Sequence, residues 1–196
     1  MKNEKFEYDT FYHFYNRGNN KQNIFFEDKN YTYFLGLISK HLLDVSEIHC
    51  FCLLKNHFHL ILRIKDKSEI NVKYHKKVHQ PFSNMFNAYT KAINKAYERS
   101  GSLFQEHPKR IKIESEKYFI NLLLYIHLNP LKHKISDDFK NYPYSSFKIY
   151  KSDLSTNLMR DYALELFGGK ENFIFQHQES KIIYEGILKE IDEFDD

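Results

Sequence analysis

Apolar positions recur along the chain at two periods, and each switch between them marks an element. Residues 9–16, Asp-Thr-Phe-Tyr-His-Phe-Tyr-Asn, are dense in β-branched and aromatic side chains and predict a first strand. Arg17-Gly18-Asn19-Asn20 breaks it as a polar loop. From Glu27 to Asp44 the apolar residues Tyr31, Phe34, Leu35, Ile38, Leu42 and Leu43 fall at helical spacing, with Asp28 as N-cap. Glu47–Leu54 and His57–Ile64 read as two strands joined by a tight Lys55-Asn56 turn. Residues 66–80 are polar and rich in Lys and His, which predicts a loop or a short irregular helix. Pro81 opens a second helix reaching about Glu98, with Phe82, Met85, Phe86, Tyr89, Ile93 and Tyr97 inward, and Ser100-Gly101-Ser102 ends it. Lys109–Glu114 alternates cations with isoleucine as a fourth strand. Ser115 then caps a strongly apolar helix to about Leu128, which Pro130 cannot continue.

Strand, helix, strand, strand, helix, strand is the ferredoxin-like split order: an α+β fold with a βαββαβ antiparallel sheet and helices on one face. From about Asn141 the pattern weakens. Tyr142-Pro143-Tyr144-Ser145-Ser146 reads as a turn, and helical stretches near 158–167 and 179–191 make residues 151–196 a helical C-terminal extension without an assigned role. Residues 1–150 form the main domain.

Composition narrows the class. Of 196 residues 42% are hydrophobic, with 18 Phe and 15 Tyr, enough apolar surface to exclude wholesale disorder. No run approaches the roughly 18 apolar residues of a membrane span, and the polar Met1–Lys5 segment leads into no signal-peptide hydrophobic region. Cys50 and Cys52 lie too close in sequence for a disulfide, and with His49 they fall short of a four-ligand zinc site. They read as reduced, buried and structural in a cytoplasmic protein. The net charge is +3, but residues 186–196 set Lys189 against five acids, so the rest of the chain carries +7. A basic body suits a phosphate-rich partner.

Two short patterns carry candidate chemistry. His57 and His59 flank Phe58 in a strand, so they share one face while Phe58 points to the other. Two imidazoles on a rigid strand make a ready pair of metal ligands, although a lone His-x-His is more often two ordinary strand histidines. Tyr125 and Asn129 stand four apart on the apolar third helix, one turn from each other on one side. Taken alone, they are a core-edge tyrosine and a capping asparagine before a proline.

Five segments occur together in a telling order: Asn16-Arg17-Gly18-Asn19-Asn20, Cys52-Leu-Leu-Lys-Asn56-His57-Phe58-His59, Gly101-Ser-Leu103-Phe104-Gln105, Tyr125-Ile-His-Leu-Asn129-Pro130 and Tyr142-Pro-Tyr-Ser-Ser146. In this the chain resembles the single-tyrosine HUH transposases, and most closely their REP-associated tyrosine transposase branch, over about residues 10–150. Lys55 departs from the family, which often has Pro there. The resemblance implies a transposase-like catalytic domain with the ferredoxin-like sheet, in which His57, His59 and Asn129 are the metal ligands and Tyr125 the nucleophile. It implies cleavage and joining of single-stranded or hairpin DNA through a 5′-phosphotyrosine, in DNA transposition or repeat processing. The protein then acts as a homodimer or a monomer.

The residue types suit that chemistry. Two imidazoles and an amide oxygen leave positions open for phosphate and water, as Mg²⁺ or Mn²⁺ prefers, and zinc ranks below them for want of a thiolate. Tyrosine, with a usual pKa of about 10, needs a proton acceptor. Metal-bound water and His127 are the two candidates, in that order. Arg17, Lys109, Arg110 and Lys112, with Lys73, Lys76 and Lys77, are candidate phosphate contacts. Two other readings stand beside this one: a hairpin-DNA-binding module of the same fold that does not cut, and an unrelated ferredoxin-like domain with a chance His-x-His. The last predicts that Tyr125 and Asn129 lie far from the histidines.

Overall fold

The computed structural model describes residues 5–191, with side chains as far as residue 180. The charged side chains of the acidic tail, and Met1–Glu4 of the polar N-terminus, lie outside the described residues. Four strands, β1 (Thr10–Arg17), β2 (Ser46–Leu54), β3 (His57–Ile64) and β4 (Lys109–Lys112), form one sheet in the order β2-β3-β1-β4. Every pairing is antiparallel. Helix α1 (Asp28–Leu42) crosses from β1 to β2, and α2 (Gln80–Ala96) from β3 to β4. This is the expected ferredoxin-like arrangement.

Strand alternation decides what each face meets. Phe58 packs its ring toward Phe34 of α1 at 5.1 Å and Phe86 of α2 at 6.0 Å, so both crossover helices cover that face. Phe11, of opposite parity on β1, meets Phe119 at 5.5 Å. Phe119 belongs to α3 (Glu116–Lys132), which therefore lies across the other face. The histidine pair is sandwiched between the sheet and α3.

Several boundaries differ from the sequence reading. The N-cap of α1 is Glu27 rather than Asp28, because Asn30 reaches back to accept from the Phe26 and Glu27 N–H groups. Residues 66–80 hold two 3₁₀ turns, Lys67–Glu69 and Val72–Tyr74. Ile48 and Cys50 straddle a β-bulge at His49. Both cysteines are buried free thiols, as expected. The largest difference is in α3, which runs through Pro130 instead of stopping at Leu128. Proline removes one helical donor and resists the turn before it. Here it sits in the last turn, where the chain leaves by a Schellman motif: Ile135 N–H donates to the Pro130 carbonyl and Lys134 N–H to that of Leu131. Lys134 adopts the left-handed φ of 52° that glycine usually supplies, so no glycine announces the helix end.

After α3 come α4 (Phe147–Lys151), which the periodicity did not predict, α5 (Arg160–Leu166) and α6 (Lys170–Ile191). The last starts well before residue 179, directly after Gly168 and Gly169, whose positive φ values turn the chain. Tyr142–Ser146 does more than turn. Leu53 N–H donates to the Tyr144 carbonyl, the Tyr142 hydroxyl to Leu53 O, and Ser146 and Phe51 exchange bonds. Met159 N–H adds a bond to Ile48 O. Together these cover the free edge of β2, an edge that would otherwise template further pairing.

His127, on α3, is fully buried and joins this layer to α6, its Nδ1 2.9 Å from His177 Nε2 and its Nε2 2.8 Å from Ser146 Oγ. Burial holds it neutral, well below the usual histidine range, and pushes His177 and His49 down to about 3. Unfolded histidines titrate near 6.5 and so bind protons that the folded ones refuse. Stability is therefore fully present above about pH 6.5 and falls as the pH drops toward 3, by at most about 1.4 kcal/mol per pH unit for each such histidine. Urea midpoints measured between pH 7 and pH 4 should show this loss, and His177→Gln should flatten the slope. Parallel pH curves for the two proteins would contradict the assignment.

Candidate active site

The site begins at the β2–β3 turn. Asn56 accepts a hydrogen bond from His57 Nδ1 at 2.6 Å, which leaves the basic lone pair of that ring at Nε2. His59 is oriented by a residue from another strand: its Nδ1 lies 2.9 Å from His13 Nε2. Register explains the meeting, since His13 stands opposite Ile61 on β3, one pleat from His59 on the same face. Tyr15 stands directly opposite His59 and stacks beside both rings. The rings of His57 and His59 are 5.2 Å apart and perpendicular.

Helix α3 brings the second half. The ring of Tyr125 meets His59 edge-on at 5.8 Å and is fully buried. Lys132, seven residues on, places Nζ 3.3 Å from the Tyr125 hydroxyl oxygen and 5.0 Å from the ring centre. Asn129 turns its Nδ2 back to the Tyr125 carbonyl at 3.1 Å, while its Oδ1 is buried with no hydrogen-bond partner. His133, the C-cap, sets its ring 4.6 Å from that of His57.

The Tyr125 ring thus lies against His59, where a chance His-x-His predicts a tyrosine far away. His127 does not join them. Two residues along a helix are about 200° apart, and its ring nitrogens are committed to His177 and Ser146, so it is no proton acceptor for Tyr125. Among the described residues no three His, Cys, Asp or Glu side chains could hold a metal ion by themselves. An ion here needs an amide ligand, and Asn129 Oδ1 fits: a buried carbonyl oxygen without a donor costs about 1–3 kcal/mol, which a cation would relieve.

The candidate phosphate contacts divide between faces. Arg17 pairs in register with His57, and Lys109 with Tyr15, so both share the histidine face. Arg110 and Lys112 alternate to the opposite face. There Arg110 lies 4.5 Å over the Phe6 ring and Lys112 pairs with Glu7. Arg110 also lines a cavity of about 620 Å³ with Phe14, Asn16, Phe86 and Gln105. Lys73, Lys76 and Lys77 are exposed on the 66–80 segment.

The loop after β1 is fixed to the site turn. Gly18 N–H donates to Asn56 O at 2.7 Å, and Ile24 and Phe25 donate to Lys55 O. A Cβ on Gly18 would stand 2.0 Å from the Gln22 carbonyl oxygen, so this position requires glycine for space. Gly18→Ala should cost about 1–3 kcal/mol, measured as a lowered urea midpoint. An unchanged midpoint would show that the loop yields freely.

His13, Lys132 and His133 escaped the sequence reading. Alternation inside the first strand could have placed His13 on one face with Phe11 and Tyr15, but only the register of β1 on β3 makes it a neighbour of His59. Lys132 and His133 lay beyond the expected helix end.

The antiparallel β2-β3-β1-β4 sheet with its two crossover helices is a ferredoxin-like domain, and here its second face sets a histidine pair toward a tyrosine-bearing helix. A solved structure shares this fold: a REP-associated tyrosine transposase bound to a REP hairpin. It matches with a TM-score of 0.62 and 18% identity, over 80% of this chain and 90% of that one. The chain therefore has the fold of the REP-associated tyrosine transposases. No protein-family model and no curated protein sequence matches it.

Proposed function

We propose that the protein is a metal-dependent single-stranded DNA endonuclease and strand transferase that cuts at or near hairpin repeats. The observation that carries this reading is the convergence of Tyr125 on His59 in a fold whose solved relative binds a hairpin. His57, His59 and the Asn129 side-chain oxygen would hold a divalent ion, Mg²⁺ or Mn²⁺. When bound, the ion neutralises charge on the phosphate oxygens. Tyr125 Oη attacks the phosphorus of a phosphodiester, the P–O3′ bond breaks, and a free 3′-hydroxyl leaves behind a 5′-phosphotyrosine. The ester retains the phosphodiester's energy, so a 3′-hydroxyl can reverse the step and join ends without a nucleotide cofactor. Arg17 and Lys109 hold the strand's phosphates on the catalytic face, and Arg110 and Lys112 extend the basic surface around β4.

One observation favours the non-cutting alternative: Tyr125 has no exposed surface, so a strand reaches its hydroxyl only after a side chain moves. The native protein, mixed with hairpin DNA from the flanks of its own gene and Mg²⁺ or Mn²⁺, separates the two. A denaturant-resistant adduct of protein and DNA supports the nuclease. Tight binding without an adduct supports the binding module.

A further inference from the structure

The stripe of α3 that carries Tyr125 and Asn129 continues one turn further to Lys132, at positions i, i+4 and i+7 of one helix side. The side chain of Lys132 folds back along that stripe, its Nζ 3.3 Å from Tyr125 Oη and 5.0 Å from the ring centre. From the geometry we infer that Lys132 is a catalytic residue, whose ammonium stabilises the tyrosinate that forms as Tyr125 attacks and re-forms as it leaves. This rests on the reading of Tyr125 as the nucleophile.

Two observations support the role. Lys132 donates to the one oxygen that gains and loses charge in the reaction, whereas a general phosphate contact would point away from the helix. The pair is partly screened from water, since Tyr125 is fully buried and Lys132 half-buried. A charge aimed at a developing oxyanion acts more strongly there than in bulk solvent.

The step balances without a general base on the protein. On attack the hydroxyl proton passes to water, the Oη lone pair forms the P–Oη bond, and the P–O3′ bond breaks with its electrons leaving on the 3′-oxygen, which takes a proton from water to become the free 3′-hydroxyl. Lys132 keeps its three protons throughout and donates one hydrogen bond to Oη. In joining, a 3′-hydroxyl gives its proton to water and attacks the phosphotyrosine, and the P–Oη electrons return to Oη, which leaves as a phenolate held by the same ammonium. It then regains a proton from water.

The test is single-turnover cleavage of saturating hairpin DNA with Mg²⁺ at pH 7 by the native protein, Lys132→Met and Lys132→Arg. Loss of one oxyanion donor typically costs about 10²–10³-fold in rate. Lys132→Met should therefore cut about 100-fold more slowly at pH 7 with its hairpin affinity unchanged. Lys132→Arg should recover most of the rate. Placing a more acidic fluorotyrosine at position 125 should rescue Lys132→Met, which a merely structural lysine would not allow. A native protein that forms an adduct beside a Lys132→Met variant that cuts at the native rate overturns this inference alone. So does a variant that loses affinity but keeps its saturated rate. A native protein that forms no adduct overturns the reading of Tyr125 and this inference with it.

Discussion

Tyr125→Phe should bind hairpin DNA with native affinity, unfold at nearly the native temperature, and form no covalent adduct. The substitution removes one oxygen and keeps the ring that packs edge-on against His59. Its structural cost includes the hydrogen bond from Lys132, about 1 kcal/mol. The chemical cost has no such limit, because the substitution removes the attacking oxygen itself. Losses on removing a nucleophile run to about 10³-fold or far more, so adduct should fall below detection by denaturing electrophoresis. Adduct formation by the phenylalanine variant at even a tenth of the native level would place the nucleophile elsewhere and remove the centre of the proposed mechanism.

Asn129→Leu should have effects of opposite sign on stability and on activity. In the metal-free protein the Asn129 Oδ1 is buried without a donor, and its Nδ2 bonds only to a helix carbonyl. Leucine has nearly the same shape and no polar atom to satisfy, so it should raise the unfolding free energy by about 1 kcal/mol. A protein rarely keeps such an atom in its core for packing's sake. If Asn129 is a ligand, the same change should weaken Mg²⁺ or Mn²⁺ binding and lower adduct yield by about 100-fold. The thermal shift that the native protein shows on adding Mn²⁺ should shrink with it. A leucine variant that is less stable without metal, and equally responsive to Mn²⁺, would show that the amide serves the fold alone.

How much of this was legible in the sequence follows from how local each signal is. The strands, the crossover helices and the Lys55-Asn56 hairpin rest on period and turn chemistry within a dozen residues, and all stand in the structure. The shared face of His57 and His59 needs only alternation. The convergence of Tyr125 on His59 came from family order rather than from periodicity, since nothing local relates residues on two distant elements. His13 was invisible for the same reason: its partner is 46 positions away. Lys132 was lost to a sound rule applied one turn too early, for Pro130 does limit a helix but tolerates its last turn when a Schellman motif follows. Lys134 closes that motif without glycine, so the usual punctuation is missing. The start of α6 was misplaced because its inward residues Phe173 and His177 form only one helical pair before the polar run that follows.

The covering of β2 by residues 142–146 and 159 has a consequence for assembly. With that border sealed by hydrogen bonds from its own chain, two copies can merge into a continuous eight-stranded sheet only through β4. Three of its four side chains, Lys109, Arg110 and Lys112, are cationic. Antiparallel pairing of β4 with its own copy would set like charges opposite each other, which is destabilising. Like charges thus oppose a merger of two sheets through β4, and their sign is the one that a nucleic-acid backbone neutralises.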